Sequence, residues 1–341
     1  MKESKRKVRF IVNPISGTQS KKEIPSQIER LIDHNRYEVE ISPTAYRGHA
    51  EELSRDAAQE GYYAVIAVGG DGTVNEVARG LLHTHTALGI IPCGSGNGLA
   101  RHIHIPIHVP KAISIINEGL AKQIDYGLMN DTPFFCTCGV GFDALVCQRF
   151  TMDGKRGLLT YMEKALTEFL KYKPETYEVE TEEGTQKHKA FLITCCNASQ
   201  YGNNAFISPY ASLHDGLLDI SIMKPFTMMD VPQIVFQLFN KMIAKNSRIE
   251  SFRCKELIIH RKSEGVAHYD GDPILLGADI RIRVVKRGLS VLSPRKVEYP
   301  AIEQVQGFLN PMIEEVTAFN RQTMARNMEF LKSLFWKAPK D

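Results

Sequence analysis

YAVIAVGGDGTVNEV, residues Tyr63 to Val77, joins three kinds of sequence without a break. Ala64 to Val68 is short, apolar and valine-rich, as expected of a strand buried on both faces of a parallel sheet. Gly69-Gly70-Asp71-Gly72-Thr73 follows at once, and then Val74, Val77, Ala78, Leu81 and Leu82 recur at helical spacing. Strand, glycine turn and helix N-terminus, in that order, make a phosphate site in open α/β sheets. Glycine admits close backbone approach, and free N–H groups with the helix dipole favour negative charge. Asp71 is foreign to that picture. A carboxylate beside phosphate is repelled unless a cation lies between them or the carboxylate takes part in proton transfer. The combination points to phosphoryl chemistry with Mg²⁺ rather than dinucleotide binding. The plain alternative is a tight left-handed turn with an aspartate helix cap.

The neighbouring segments weigh against the plain alternative. Val8 to Val12 reads as a strand that ends in Asn13-Pro14-Ile15-Ser16-Gly17, before a helix through Ile24, Ile28, Leu31 and Ile32. Tyr37 to Ile41 alternates like a strand, and Ser42-Pro43-Thr44 leads through Gly48-His49-Ala50 into a helix with Leu53 and Ala57. Leu88 to Ile91 is a further strand, ending in Pro92-Cys93-Gly94-Ser95-Gly96-Asn97-Gly98 and a short helix with Leu99, Ala100 and Arg101. Each strand thus ends in a polar or glycine-bearing loop before a helix. In a parallel sheet such loops gather on the carboxyl edge, where ligands bind, so a nucleotide site is expected there. His83, His85, His102, His104 and His108 are expected to be solvent-facing loop residues. No carboxylate or cysteine partner lies at metal-ligand spacing from them.

After Asp125 the pattern changes. Short strand-like runs appear at Phe134 to Cys138, Tyr177 to Glu180, Lys189 to Cys195, Leu217 to Met223, Glu256 to His260 and Ile280 to Val285. They suggest an antiparallel β-sandwich or flattened barrel. Helices over Leu158 to Leu170 and Val231 to Ala244 either cover its core or wall a lipid-sized pocket. Pro311 to Trp336 reads as a helix capped by Asn310, packed on the body or on a second subunit in a homodimer. The basic residues along it, with its aromatic ones, keep membrane contact open as well. The expected organisation is an α/β domain over residues 1–125, joined by segment 295–341, and a β-sandwich domain over residues 126–294.

Composition narrows the class. The chain has 341 residues, 43% of them hydrophobic and 24% charged, as in ordinary globular proteins. A net charge of +3 is too small to argue for nucleic acid and is compatible with contact with an anionic membrane. Cys136, Cys138, Cys195 and Cys196 lie in apolar runs without metal-ligand spacing, and read as buried, reduced thiols of a cytoplasmic protein. No apolar run approaches the ~20 residues of a membrane span, and the basic start has no signal-peptide core behind it.

The ordered set Asn13-Pro14 with Ser16-Gly17, Thr44 with Gly48-His49-Ala50, Gly69-Gly70-Asp71-Gly72-Thr73 with Asn75-Glu76, Pro92 with Gly94-Ser95-Gly96-Asn97, Gly141-Phe142-Asp143, Asp215-Gly216-Leu217-Leu218-Asp219 and Asp270-Gly271-Asp272 resembles the diacylglycerol kinase catalytic family. That family includes bacterial lipid kinases, sphingosine kinases and ceramide kinases. The resemblance implies an N-terminal α/β domain of the NAD kinase and diacylglycerol kinase type, a C-terminal β-sandwich, and a cleft between them. It implies ATP over Asn13, Pro14, Ser16, Gly17, Thr44, Gly69, Gly70, Asp71, Gly72, Thr73 and Ser95, supported by Glu76 and Asn97. It implies Mg²⁺ near Asp71 and Asp125, and a structural Mg²⁺ at Asp215 with Ser212 and Leu217. Asp272 stands where bacterial members commonly carry a glutamate proposed as general base; being one methylene shorter, it leaves Asp71 as the rival for that role. The acceptor implied is the hydroxyl of diacylglycerol, with a sphingoid base or ceramide as alternative, met by peripheral contact at the membrane. NAD kinase and a non-catalytic nucleotide-binding regulator are the more distant alternatives.

Overall fold

The computed structural model describes residues 4–14, 23–153 and 168–295. Ser16, Gly17, most of the expected helix from Leu158 and the whole expected tail helix lie outside these residues.

The N-terminal half alternates strand and helix. It runs β1 (Arg6–Val12), α1 (Ile24–Leu31), β2 (Tyr37–Pro43), α2 (His49–Gln59), β3 (Ala64–Gly69), α3 (Asp71–Gly80), β4 (Ala87–Pro92), α4 (Gly98–His102) and α5 (Val109–Glu118). Strands β3 and β4 are buried at every position, as their unbroken apolar runs require. Helix α1 places Pro25 in its first turn and buries Ile24 and Ile28; α5 likewise begins with a proline and buries Ala112, Ile113 and Ile116. The strands pair in parallel, β2 with β1, β1 with β3 and β3 with β4.

The C-terminal half is antiparallel. β5 (Leu120–Met129), β6 (Thr132–Phe134) and β7 (Thr137–Gly141) lead into α6 (Phe142–Asp153). β8 (Glu175–Thr181), β9 (Gly184–Ala190), β10 (Leu192–Cys196) and β11 (Leu218–Met223) come next, then α7 (Val231–Phe239). β12 (Ile249–Cys254), β13 (Glu256–His260), β14 (Gly265–Tyr269), β15 (Asp272–Leu276) and β16 (Asp279–Ser293) complete the described chain. Among the described residues the ten-stranded sheet runs β2-β1-β3-β4-β16-β13-β8-β9, with β5 on β16 and β6 on β5. The six-stranded sheet runs β12-β11-β10-β7-β14-β15. The two sheets face each other across one core: Tyr177, Val179, Leu257, Ile259, Ile280 and Ile282 meet Val140, Ile193, Ile220 and Ala267. That is the expected sandwich, and each valine, leucine or isoleucine among them contributes about 1.5–3 kcal/mol of burial.

Strand β16 departs from expectation. It is 15 residues long, not a short run at Ile280 to Val285, and belongs to both halves. Ile282 to Val285 pair with Met129 to Tyr126; the register then slips, and Leu289 to Ser293 pair with Ile124 to Leu120, while Val291 also meets Leu88 of β4. The expected strand at Phe134 to Cys138 breaks between β6 and β7, and the run at Lys189 to Cys195 breaks at Phe191. The expected helix at Val231 to Ala244 stops at Phe239, and Lys241 turns with φ 58°. Cys136, Cys138, Cys195 and Cys196 are buried free thiols, and burial pushes the Cys136, Cys138 and Cys196 thiols well above the ordinary range.

Candidate active site

Two glycine-bearing loops meet at the carboxyl ends of β3 and β4, and Asp71 joins them. Asp71 opens α3, where its Oδ1 accepts the Gly98 N–H at 2.7 Å and its Oδ2 the Asn97 N–H at 2.8 Å. Asn97, held at φ 53°, closes its own loop: Oδ1 accepts the Gly94 N–H at 3.0 Å and Nδ2 donates to the Gly94 carbonyl at 2.8 Å. Arg101 of α4 donates from Nε to the Gly96 carbonyl at 3.0 Å. Burial pushes the Asp71 carboxyl up from the usual carboxylate range, and the Gly98 and Asn97 N–H groups with the Arg101 charge pull it back. A Cβ on Gly94 would lie 2.5 Å from Gly70 Cα, and one on Gly96 would lie 2.7 Å from Asp71 Oδ2, so only glycine fits. A Cβ on Gly72 would meet nothing within 4 Å; the first turn of α3 presents open backbone, the setting in which helix N-termini take anions.

The other strand ends converge here. Asn13 Nδ2 donates to Thr73 Oγ1 at 3.1 Å, and its N–H to the Val68 carbonyl at 3.1 Å. The Thr44 N–H reaches the Val12 carbonyl at 2.9 Å. Glu76 Oε2 accepts the Ala50 N–H at 3.3 Å, at the start of α2. Pro14 is exposed at the end of β1 and Ser95 at the tip of its loop. Asn13, Thr44, Gly69 to Thr73, Glu76, Ser95 and Asn97 therefore lie at one sheet edge.

The facing wall comes from the sandwich. Asp270, at φ 47°, accepts N–H groups from Phe135 at 2.8 Å, Cys136 at 2.7 Å and Thr137 at 3.1 Å, and the Asn75 Nδ2 of α3 at 2.9 Å. Burial pushes its carboxyl up, and these donors offset part of that. Two residues on, Asp272 opens β15 and meets Arg47 of the β2–α2 loop through Oδ2 at 3.3 Å. The Asp272 side chain is 37% exposed and that of Arg47 71%. Burial pushes the Asp272 carboxyl up, while Arg47 and Arg79 pull it down.

Asp125 makes its hydrogen bonds with the loop that carries Ser212, Asp215 and Leu217, with β16 and with Asn197, rather than with the glycine loops, among the described residues. Asp125 is 1% exposed. Its N–H meets the Leu213 carbonyl at 2.7 Å, its Oδ2 accepts the Gly216 N–H at 2.7 Å, and its Oδ1 accepts the Arg287 N–H at 2.8 Å. Arg287 lies in the register slip of β16, so Asp125 pins the point where that strand passes between the two halves. In the loop itself Asp215 Oδ1 accepts the Leu217 N–H at 3.1 Å, and Asp215 is exposed. No group of three or more His, Cys, Asp or Glu gathers as a metal site among the described residues. What Asp71 and the 212–217 loop offer is single carboxylates with hydroxyl and carbonyl oxygens. An all-oxygen set of few protein ligands suits Mg²⁺, which keeps waters and bridges to phosphates, so the residues fit that ion.

Several contacts were hidden from the sequence. Arg47 and Asn75 carried no assigned role, and Asp270 was visible only as part of a motif. Asp143 Oδ2 accepts Thr194 Oγ1 at 2.8 Å, lies 3.1 Å from His268 Nε2 and accepts Tyr201 OH at 3.3 Å, a buried polar knot under the β14–β15 turn. His102 corrects the expectation of solvent-facing histidines: its Nδ1 accepts the Ser199 N–H at 3.1 Å and lies 2.9 Å from Ser199 Oγ.

Burial, with the charges of His104, His214 and Lys241, lowers the His102 pKa from 6.5 to about 4. Between those values the unfolded chain binds a proton that the folded chain refuses. Stability is thus full above the unfolded value and is lost as the pH falls toward about 4. The loss attributable to this residue is expected to be up to on the order of 3 kcal/mol. Denaturant titrations across the window should show a shallower pH dependence for His102→Gln than for the native chain.

Comparison with known proteins agrees with this arrangement. Residues 7–129 match the diacylglycerol kinase catalytic domain, and residues 136–293 match the YegS C-terminal NAD kinase beta sandwich-like domain. The chain is 30% identical over 226 residues to a diacylglycerol kinase of Bacillus subtilis, covering 64% of this chain and 74% of that protein. It is 28% identical over 298 residues to a diacylglycerol kinase of Mycobacterium tuberculosis, covering 85% and 96%. Its fold matches a putative diacylglycerol kinase from Bacillus anthracis with a TM-score of 0.71 at 20% identity, over 87% of this chain and 99% of that one.

Proposed function

The chain belongs to the diacylglycerol kinase catalytic family of lipid kinases, and we propose that it transfers the γ-phosphoryl of ATP, with Mg²⁺, to the hydroxyl of diacylglycerol at a membrane surface. The observation that carries this reading is the opposition of two walls. On one side the Asp71-joined glycine loops present open helix backbone. On the other, Asp272 offers a half-buried carboxylate whose ion pair, among the described residues, is with Arg47. Bound ATP supplies the phosphoryl group, and Mg²⁺ neutralises charge on its oxygens.

The chain's own residues do the rest. The N–H groups from Gly70 to Thr73 bind phosphate oxygens, and Asn13 orients Thr73 for the same purpose. Asp71 holds the loop that carries Ser95 in place and keeps its remaining lone pairs for the ion or its waters. Asp272 accepts the proton of the incoming hydroxyl, and Asp270 fixes the turn from which Asp272 projects. Ser212, Asp215 and Leu217 would hold a second, structural ion at the junction of the halves, while Asp125, whose two carboxylate oxygens accept the Gly216 and Arg287 N–H groups, braces that loop. A sphingoid base or ceramide would use the same machinery, since the wall described is chemically indifferent to what lies beyond the hydroxyl.

The test is transfer of labelled γ-phosphate from ATP to diacylglycerol, sphinganine, ceramide and NAD, offered in parallel to the full chain. Labelled phosphatidic acid is the expected product. A labelled sphingoid phosphate would move the substrate reading within the family, and labelled NADP or no product at all would sink it.

A further inference from the structure

Helix α7 reads VPQIVFQLF from Val231 to Phe239, without one charged residue. Ile234 and Gln237 point into the protein. Met229, Pro232, Gln233 and Phe236 form the outward stripe at helical spacing; Met229 is 82% exposed and Phe236 45%, with Met242 at 39% just beyond. A surface helix normally turns charged residues outward, and one that instead, with its flanks, exposes Met229, Phe236 and Met242 and has no charge of its own offers an apolar contact surface.

The flanks say which partner. Residues 224–248 contain Lys224, Lys241, Lys245 and Arg248 against one acid, Asp230. Lys241 and Lys245 are exposed and in no ion pair among the described residues. Beside the stripe, Lys224, Gln233, Asn246, Ser247 and Arg248, with Asp230, line an open polar pocket of about 300 Å³. Apolar side chains bordered by lysines complement the surface of an anionic bilayer. The underside of α7 is close to the glycine loops: the Leu238 carbonyl accepts the Phe206 N–H at 2.8 Å, and nearby the Asn203 N–H donates to the Gly96 carbonyl at 3.0 Å.

We propose that α7 and its flanks, residues 224–248, are the surface by which this chain docks on an anionic phospholipid bilayer. The choice of occupant rests on the membrane-surface substrate proposed above. Met229 and Phe236 insert below the headgroups, and Lys241 and Lys245 meet lipid phosphates, while Arg248 and Lys224 at the pocket stay paired with Asp230 and Glu250.

Vesicle flotation of the full chain tests this, using phosphatidylcholine alone and phosphatidylcholine with about a third phosphatidylglycerol. The native chain is expected on the anionic vesicles only. The pair Met229→Asp and Phe236→Asp should weaken binding roughly tenfold to a hundredfold. Lys241→Glu with Lys245→Glu should weaken it at least about tenfold, in a salt-dependent way. Both pairs should keep native turnover of a monomeric short-chain diacylglycerol, which shows that they fold. Native-like vesicle binding by either pair overturns the proposal, as does a native chain that binds no anionic vesicle. A dimer that the apolar pair converts to monomer, without vesicle binding, would assign the face to a second copy. If diacylglycerol is not phosphorylated but vesicle binding is lost with α7, the substrate reading fails and the docking surface stands.

Discussion

Asp272→Asn is expected to lower kcat by about 10²- to 10⁴-fold, the contribution of a positioned general base. The choice between the two candidate carboxylates rests on their partners. Each oxygen of Asp71 already accepts a backbone N–H, from Gly98 and Asn97, and the carboxylate is the joint between two loops. Among the described residues Asp272 has one hydrogen-bonded partner, Arg47, which it meets through Oδ2. Burial pushes its carboxyl up and Arg47 pulls it down, so removing Arg47 raises its pKa further. A base must be deprotonated to act. The acid limb of the rate profile should therefore move to higher pH in Arg47→Ala and vanish in Asp272→Asn, while Asp272→Glu restores much of the rate. Steady-state kinetics over pH would settle it. An Asp272→Asn enzyme within about threefold of the native rate would return the role of base to Asp71.

Asp270→Ala is expected to produce the largest loss of stability, on the order of 3–5 kcal/mol. The substitution strands the N–H groups of Phe135, Cys136 and Thr137 and the amide of Asn75, donors that come from both halves of the molecule. It also frees a residue held at φ 47° by those bonds. Asn75→Ala removes only one of the donors and should cost about 1 kcal/mol. Urea unfolding would check both. If Asp270→Ala loses no more than Asn75→Ala, the carboxylate is not what joins α3 to the β6–β7 turn.

What could be read in advance follows from range. Strand β3, its glycine turn and α3 are encoded by neighbours a few residues apart, and so are the loops after β1, β2 and β4. Hydrogen bonds from the Phe135 N–H to Asp270, or from the Ser199 N–H to His102, join residues 135 and 97 positions apart. No local pattern announces them, which is why His102 read as a solvent histidine. Strand β16 read short because Lys286-Arg287-Gly288 looks like an end; in the fold it is a slip in register that Asp125 holds. Strands β12 and β15 escaped because neither is fully buried: both carry exposed or half-buried residues that blur the alternation. Helix α6 escaped because its recognisable motif, Gly141-Phe142-Asp143, covers only its first turn.

Strand β16 also bears on how the protein is made. A ribosome releases the chain from its N-terminus, and β1 to β4 emerge early. Yet the neighbour of β4 in the finished sheet spans residues Asp279–Ser293, near the end of the described chain. Until that segment appears, β4 has an open edge, and β5 lacks the partner it holds from Leu120 to Met129. The nascent N-terminal sheet must wait, with one flank unpaired, until the chain has been translated through β16. The two halves are separate in sequence and chemistry, but their completion is a single late event.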